Sequence, residues 1–275
     1  MVCYLQIVCG PAGSGKSTYC KAIQEHCAAS NRKIHIANLD PAAENFDYEL
    51  SFDIRDLITV DDVMDELGLG PNGALMYSME YLLENMEWLE EELDRFLEDD
   101  YLLLDCPGQV ELYTHQPVMK KVIERLNMWG YQHIAGVFVL DATFVCDAPK
   151  FISGIFLSLS AMVSLELPHV NVLSKCDLVD KEKVEEILDV QSAQELWSIE
   201  ASSNSTVNQR WIARNPHRLT ESICSLIDDY SMVNFLPLDI SDEESINIVI
   251  SHIDHAIQYG ENLEVRDTDT TPDGD

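Results

Sequence analysis

Basic residues are scarce in this 275-residue chain, which has 17 Lys and Arg residues against 49 Asp and Glu residues. The formal net charge of -32 makes the surface repel the phosphate backbone of nucleic acids. We therefore expect no direct binding to DNA or RNA, and basic protein surfaces are the more natural partners. The alternative is that the charge serves only to keep the protein in solution.

Paired metal-binding cysteines and a leader segment are also missing. None of the eight cysteines forms a C-x-x-C pair, so neither a zinc knuckle nor a redox dithiol is predicted. Several cysteines lie in apolar runs such as residues 7–9, which favours reduced core thiols in a cytosolic or nuclear protein. The N-terminus has no apolar leader, and serines, a glycine and a glutamate interrupt the longest apolar stretch, residues 151–167. We expect a soluble protein without a signal peptide or a membrane span.

Short apolar runs alternate with helical patterns along most of the chain. This alternation predicts an α/β fold with a mostly parallel central sheet and helices on both faces. The predicted strands are residues 4–9, 33–38, 101–105, 134–140, 170–174 and 234–238. The predicted helices are residues 16–29, 114–128, 149–164, 217–229 and 243–259.

Three segments depart from this alternation. Residues 59–97 contain two helical stretches and no strand pattern, which predicts a helical insertion between the second and third strands. Its polar face is rich in Glu and Asp, and we interpret that face as a solvated surface in preference to a docking site. Residues 191–214 predict an irregular insertion, and the nearly apolar-free tail 260–275 predicts disorder. One domain is therefore expected over residues 1–259.

The strongest motif is a complete match to G-x-x-x-x-G-K-[ST] between the first strand and the first helix. Glycines let successive backbone N–H groups surround phosphate oxygens, and the helix N-terminus adds a favourable dipole. Lys16 is expected to reach the β- and γ-phosphates, and the Ser17 hydroxyl to ligate Mg²⁺. The predicted nucleotide-binding residues are Gly10, Pro11, Ala12, Gly13, Ser14, Gly15, Lys16, Ser17 and Thr18. The motif identifies a three-layer P-loop NTPase fold but neither the base nor hydrolysis.

A second motif, D-C-P-G-Q-V-E, begins at Asp105, directly after an apolar strand. P-loop enzymes place their Mg²⁺-associated carboxylate at such a strand end. The D-x-P-G form is typical of GTPase switch regions, where the amide of Gly108 would sense the γ-phosphate. Gln109 and Glu111 then lie where a side chain could position the attacking water. The alternative for Asp105 is a turn or helix cap.

A third motif, S-K-C-D, follows the strand at 170–174 and approximates the N-K-x-D guanine motif. The Asp177 carboxylate can accept from the ring N–H and the exocyclic amine of guanine, whereas adenine presents an acceptor at that ring position. Lys175 would pack its stem along the base. Ser174 replaces the usual Asn, which weakens the match. The alternative is an exposed loop with an isolated Asp.

Two weaker clusters leave both interpretations open. Asp40 leaves the second strand in N-L-D-P-A-A-E and could ligate Mg²⁺ or a water molecule, but Asp before Pro is also a good turn former. Gly70, Pro71 and Asn72 open the second stretch of the helical insertion. On physical grounds alone they end one helix and begin the next.

Taken in order, these five motifs resemble those of the GPN-loop GTPases, over residues 3–259. The resemblance implies GTP as substrate, GDP as product and Mg²⁺ as cofactor, with Asp40, Gln109 and Glu111 handling the metal and water. It also implies an obligate dimer, with a second copy or with a paralogue, in which the Gly70–Pro71–Asn72 loop reaches the partner's phosphates and Asn72 acts there in trans.

The resemblance extends to the cellular role. It implies a nucleotide-gated hydrophobic pocket for a peptide, and a part in the assembly and nuclear import of RNA polymerase II. RNA polymerase II subunits or assembly factors would be the partners of a cytoplasmic protein that can shuttle to the nucleus.

The leading interpretation is a GTP-hydrolysing switch. A small-molecule or nucleotide kinase is one alternative, but it would need basic residues to clamp a second phosphorylated substrate, and the middle of this chain has no arginine-rich lid. A nucleotide-gated binding scaffold with negligible hydrolysis is the other.

Overall fold

A computed structural model describes residues 3–97, 99–190, 192–195, 217–229 and 233–260. Its centre is a sheet of seven strands in the order β3-β2-β4-β1-β5-β6-β7, and every neighbouring pair is parallel. The strands are β1 (Tyr4–Cys9), β2 (Ile34–Asn38), β3 (Leu50–Asp53), β4 (Tyr101–Asp105), β5 (His133–Asp141), β6 (His169–Ser174) and β7 (Phe235–Pro237).

Helices cover both faces of the sheet and create two cores. Leu102 and Leu104 of β4 enter the larger core, whereas Leu103 of the same strand enters the smaller one, beside the first and last helices. The continuous leucine run therefore suits a central strand buried on both faces. The described helices are α1 (Lys16–Ala29), α2 (Val60–Leu67), α3 (Pro71–Glu84), α4 (Met86–Leu93), α5 (Glu111–Thr114), α6 (Val118–Met128), α7 (Ala148–Leu165), α8 (Lys181–Leu188), α9 (His217–Asp229) and α10 (Glu243–Ala256).

The predicted alternation is confirmed, with corrections in the middle of the chain. The edge strand β3 was not predicted, because Leu50 and Phe52 alone give too weak a pattern, and its pairing with β2 supplies the rest. The helical insertion therefore lies between the third and fourth strands in chain order. It contains three helices where two were predicted, because the helical hydrogen-bond pattern is interrupted at Asn85. Helix α8 was also missed, and the helix predicted from residue 114 begins after Pro117.

Helix α7 is long and apolar enough to cross a bilayer by length and composition alone, but 44% of it is buried inside the protein. Phe151 and Ile155 on its buried face belong to the larger core, and Leu159 is buried as well. The hydroxyl of Ser158 donates to Asn171 Oδ1 of β6 at 2.5 Å. These contacts are those of a core helix in a globular α/β protein.

The seven cysteines described with their side chains are buried and free, as the sequence predicted. Burial raises the pKa of the Cys9 thiol to about 12, so this thiol stays protonated and behaves as a small apolar group. The predicted irregular insertion at 191–214 and the predicted tail at 260–275 lie outside the described residues, except for residues 192–195 and 260.

Candidate functional site

The predicted motifs meet along one edge of the sheet, where the parallel strands end. Adjacent strands β2, β4, β1, β5 and β6 all deliver their carboxyl ends to this edge. Asn38, Asp105 and Asp141 are the last residues of β2, β4 and β5. In open α/β sheets this edge is where ligands bind.

The phosphate loop has the backbone that its glycines predict. Gly10, Gly13 and Gly15 all have positive φ, at 140°, 75° and 91°. A Cβ at Gly10 would lie 2.3 Å from the carbonyl oxygen of Val139, so no other residue fits there without moving β5. Gly15 precedes the first residue of α1, and the loop therefore ends on a helix N-terminus.

Two buried side chains of this loop are suited to an anion. The ammonium of Lys16 donates to the carbonyl oxygens of Gly10 and Pro11, both at 3.2 Å, and so lies over its own loop. The hydroxyl of Ser14 is buried and has no hydrogen-bond partner among the described residues. A charged donor and an unpartnered hydroxyl inside a ring of backbone amides fit the oxygens of a polyphosphate.

Asp105 is buried beside the loop. Its carboxylate accepts from Ser17 and, at 3.0 Å, from the hydroxyl of Tyr48. Burial raises the pKa of Asp105, while the Ser17 hydrogen bond and the charge of Lys16 oppose that rise. The structure thus brings together Ser17 and Asp105, two of the predicted Mg²⁺ ligands.

Asp40 lies at the same edge, and burial raises its pKa as well, partly opposed by the Ala42 amide and by Lys16. Its Oδ1 accepts from Ala42 N at 2.9 Å, so the interpretation as a turn former is correct, and this leaves Oδ2 for another ligand. Within the described residues neither Asp40 nor Asp105 forms an ion pair, and no group of three metal-ligating side chains occurs. Two carboxylates, one hydroxyl and phosphate oxygens nevertheless form the hard oxygen set that Mg²⁺ accepts.

The switch segment, defined as the D-C-P-G-Q-V-E motif at residues 105–111, packs directly on the phosphate loop. A Cβ at Gly108 would lie 2.8 Å from Ala12 Cα, so this position requires glycine for close approach. The amide of Gln109 donates to Asn72 Oδ1 at 2.9 Å. The predicted GPN loop therefore touches the switch segment of its own chain, and its reach to a partner's phosphates stays a prediction. Glu111 is exposed at the start of α5, and its carboxylate has no hydrogen bond or ion pair among the described residues.

Gly70 and Pro71 also have the local roles that physical chemistry assigns them. Gly70 is the N-cap of α3 and Pro71 is its first residue. Gly68, with a φ of 65°, ends α2. The loop is thus short and held at both ends by helices, with Asn72 in the first turn of α3.

The guanine-type motif is fastened to the phosphate loop. The hydroxyl of Ser174 is within 2.5 Å of the Ser14 carbonyl oxygen and 3.1 Å of the Leu140 carbonyl oxygen. The ammonium of Lys175 donates to the carbonyl oxygen of Gly13 at 2.7 Å. Asp177 follows in an exposed turn, with its carboxylate available to a ligand. Ser174, which stands where the common guanine motif has Asn, therefore joins the two loops.

Two contributors to the site were missed from the sequence. Asp141 pairs with Lys175 at 2.6 Å, and hydrogen bonds from Lys175 and Thr143 outweigh burial and lower the pKa of Asp141. It could have been found by the signal used for Asp105, an acid at the end of an apolar strand. Tyr48 gave no signal, because its contact with Asp105 joins residues 57 positions apart.

Comparison with known proteins agrees with this geometry. A family model described as "Conserved hypothetical ATP binding protein" matches residues 8–259. The fold resembles a crystal structure from Pyrococcus abyssi described as a GTPase in apo form, with a TM-score of 0.73 and 23% identity, covering 92% of this chain and 97% of that one. At that identity the likeness concerns the fold alone.

Relatives of higher identity align with this chain over almost its whole length. Three examples, all named GPN-loop GTPase 3, are the following. The protein from Danio rerio is 52% identical, and the match covers 96% of this chain and 91% of that protein. The protein from Dictyostelium discoideum is 49% identical, and the match covers 96% of this chain and 90% of that protein. The protein from Saccharomyces cerevisiae is 45% identical, with 95% of this chain and 94% of that protein covered.

These relatives confirm the predicted family and the predicted class of enzyme. By its length and its D-C-P-G-Q-V-E-L-Y segment the chain also resembles the third eukaryotic paralogue, which is the number that the relatives carry. The family model's description mentions ATP, but the full-length relatives are the more specific match. The chain therefore belongs to the GPN-loop GTPase family.

Proposed function

We propose that this GTPase binds GTP at the carboxyl edge of β1, β4 and β6 and hydrolyses it to GDP and phosphate with Mg²⁺. The observation that carries the proposal is the direct connection between the phosphate loop and the S-K-C-D turn. Ser174 and Lys175 hold the two loops together through Ser14 and Gly13. A nucleotide whose phosphates occupy the loop would then present its base to Asp177.

Several residues of the chain are placed to stabilise the transition state. Loop amides and the ammonium of Lys16 offset the charge that develops as water attacks the γ-phosphate in line. Gln109 orients that water, and the amide of Gly108 senses the γ-phosphate. Ser17, Asp105 and Asp40 would hold Mg²⁺ directly or through water, and the ion adds positive charge beside the phosphates.

The GTPase would act as a switch within a dimer. Its partner is a second copy or a paralogue of the same family, and the Gly70–Pro71–Asn72 loop contributes to that contact. We assign it to the cytoplasm, with shuttling to the nucleus, where it would support the assembly and import of RNA polymerase II through the polymerase's subunits or assembly factors. The family resemblance supports this role, and the net charge of -32 is compatible with basic protein partners.

Exchanging the base acceptor tests the proposal. In Asp177→Asn, one acceptor for guanine becomes a donor, so GTP affinity should fall by about tenfold or more, the loss of a charged hydrogen bond. Xanthine carries a carbonyl where guanine carries its amine, so the same variant should bind XTP better than the wild-type protein does. Calorimetry with GTP, XTP and ATP measures both effects.

Asp180→Asn is the matched control. Asp180 caps α8 through the amide of Glu182, and Asn caps helices equally well, so its nucleotide preference should equal that of the wild type. An Asp177→Asn variant that kept the wild-type order of GTP, XTP and ATP affinities would refute the assignment of the base site.

A further inference from the structure

An arginine outside every predicted motif contacts the middle of the loop that carries Asp40. The guanidinium of Arg55 lies just beyond the edge strand β3 and donates through Nη1 to the carbonyl oxygens of Ala43 and Glu44, at 3.0 and 3.1 Å. Its plane lies over the ring of Phe46, 4.7 Å from the centroid. One side chain thus contacts three residues of the metal-side loop, which is defined as residues 40–48.

The same arginine anchors the carboxylate that fixes Asp40. Arg55 Nε donates to Asp53 Oδ2 at 2.7 Å, and Nη2 forms an ion pair with the same oxygen at 2.6 Å. Asp53 Oδ1 accepts from the fully buried amide of Asn38 at 2.8 Å. Hydrogen bonds from Arg55 and Asn38 outweigh burial and lower the pKa of Asp53, so the carboxylate is charged at neutral pH.

Asn38 transmits this restraint to the backbone of Asp40. Its Nδ2 donates to the Asp40 carbonyl oxygen and its Oδ1 accepts from the Asp40 amide, both at 2.9 Å. An amide side chain that holds both the N–H and the C=O of one residue fixes where that residue's side chain leaves the backbone. Arg55, Asp53 and Asn38 therefore form a continuous chain of contacts that ends at Asp40.

The far end of the metal-side loop is tied to the nucleotide site by other contacts. Tyr48 donates to Asp105 at 3.0 Å. Gln24 of α1 accepts from the Glu49 amide at 2.9 Å and donates to its carbonyl oxygen at 3.0 Å. The loop is consequently fastened at both ends, and Arg55 is the contact that holds its middle.

The geometry points to Arg55 and Asp53 as positioning residues. They hold the metal-side loop in place, so that Asp40 faces the phosphates when Mg²⁺ is bound. This inference rests on the metal role assigned to Asp40 in the proposed function. Arg55 touches neither of the predicted metal-ligating carboxylates, and it acts only through Asp53, Asn38 and the loop backbone.

The inference requires an arginine and not merely a positive charge. A lysine could pair with Asp53, but its single nitrogen cannot also reach two loop carbonyls in a fixed fork. Arg55→Lys should therefore keep the ion pair and lose the loop contacts. This makes it the informative variant, because it retains the charge and most of the packing.

The test combines amide exchange with nucleotide release. In Arg55→Lys and Arg55→Ala, hydrogen–deuterium exchange of residues 40–48 should rise by about tenfold or more, as expected for a lost charged hydrogen bond. Mg²⁺ should slow GDP release less in these variants than in the wild type, while release in EDTA stays unchanged. Arg95→Ala is the matched control, since the exposed Arg95 side chain pairs with Glu92 of α4, away from the metal-side loop, and should change neither measurement.

The two measurements separate the positioning role from the proposed function. Wild-type exchange rates in both Arg55 variants would overturn the inference, as would equal weakening of GDP binding with and without Mg²⁺. A wild-type protein whose GDP release ignored Mg²⁺ would instead overturn the metal role of Asp40, and the exchange rates would still decide whether Arg55 holds the loop.

Discussion

At the scale of single residues, burial decides which titratable groups carry charge, and His169 is the clearest case outside the nucleotide site. Both of its ring nitrogens are buried without a hydrogen-bond partner among the described residues. Its ring lies near that of Phe138, and Gly136 leaves it room, because a Cβ there would be 2.9 Å from Nδ1. Burial lowers the pKa of His169 to about 4, so the folded protein holds the neutral ring.

This shift predicts a loss of stability in mild acid. The unfolded chain binds the His169 proton more tightly, since its pKa there is about 6.5, so stability falls as the pH drops from about 6.5 to about 4. At pH 5.5 the cost should be roughly 1 kcal/mol relative to pH 7.5. His169→Phe should remove that part of the pH dependence in urea unfolding, and the exposed His252→Phe should not. Identical pH profiles for wild type and His169→Phe would contradict the prediction.

At the scale of the element, the packing of α7 on β5 depends on one glycine. A Cβ at Gly154 would lie 2.6 Å from Leu140 Cδ2, and Leu140 is fully buried in the centre of the sheet. Gly73, in the first turns of α3, is a contrasting case, because the nearest atom to its added Cβ is 3.8 Å away. Both glycines are helical, so the same substitution isolates the effect of packing.

We expect Gly154→Ala to destabilise the protein by about 1–3 kcal/mol, because a methyl group must displace a well-packed leucine. Gly73→Ala should instead stabilise it by about 0.5–1 kcal/mol, since alanine favours the helix and its methyl group makes only an ordinary van der Waals contact with Leu69. Urea unfolding of the two variants measures both values. If Gly154→Ala were as stable as the wild type, the tight contact between α7 and β5 would be wrong.

At the scale of the whole molecule, large apolar side chains are exposed on both sides of Asn72. Leu67 and Leu69 precede it and Tyr77 follows it, with 50%, 38% and 40% of their surfaces exposed. Several apolar residues around one loop are more typical of an interface than of open solvent. The contact between Asn72 and Gln109 connects that surface to the switch segment.

The proposed dimer should therefore depend on these side chains and respond to the nucleotide. We expect native mass measurements to find a dimer, of this chain alone or mixed with a paralogue, whose population differs between GDP and a GTP analogue. Leu69→Asp should weaken it, because burying a carboxylate without a partner is costly. Met128→Asp, at an exposed site at the end of α6, is the control. Monomers under every condition would contradict the proposal.

Local chemistry made much of this molecule predictable. Gly10, Gly13 and Gly15 need no distant partner to form a phosphate loop, and the three consecutive leucines of β4 favour a strand buried on both faces. The order of the motifs identified the family, because each motif is contiguous along the chain. The sequence showed that Ser174 stands where the guanine motif has Asn, but it did not show which groups the serine contacts.

Tertiary structure alone decided the contacts between distant segments. The Ser174 hydroxyl meets a carbonyl 160 residues away, and Tyr48 meets Asp105 across 57 residues. Strand β3 likewise depends on its neighbour β2, since its own sequence has too few apolar residues to predict a strand. The contacts of Arg55 with the metal-side loop depend on which backbone carbonyls lie within its reach. Sequence patterns record local backbone preference and burial, whereas hydrogen bonds to backbone carbonyls leave no pattern, because every residue offers the same carbonyl group.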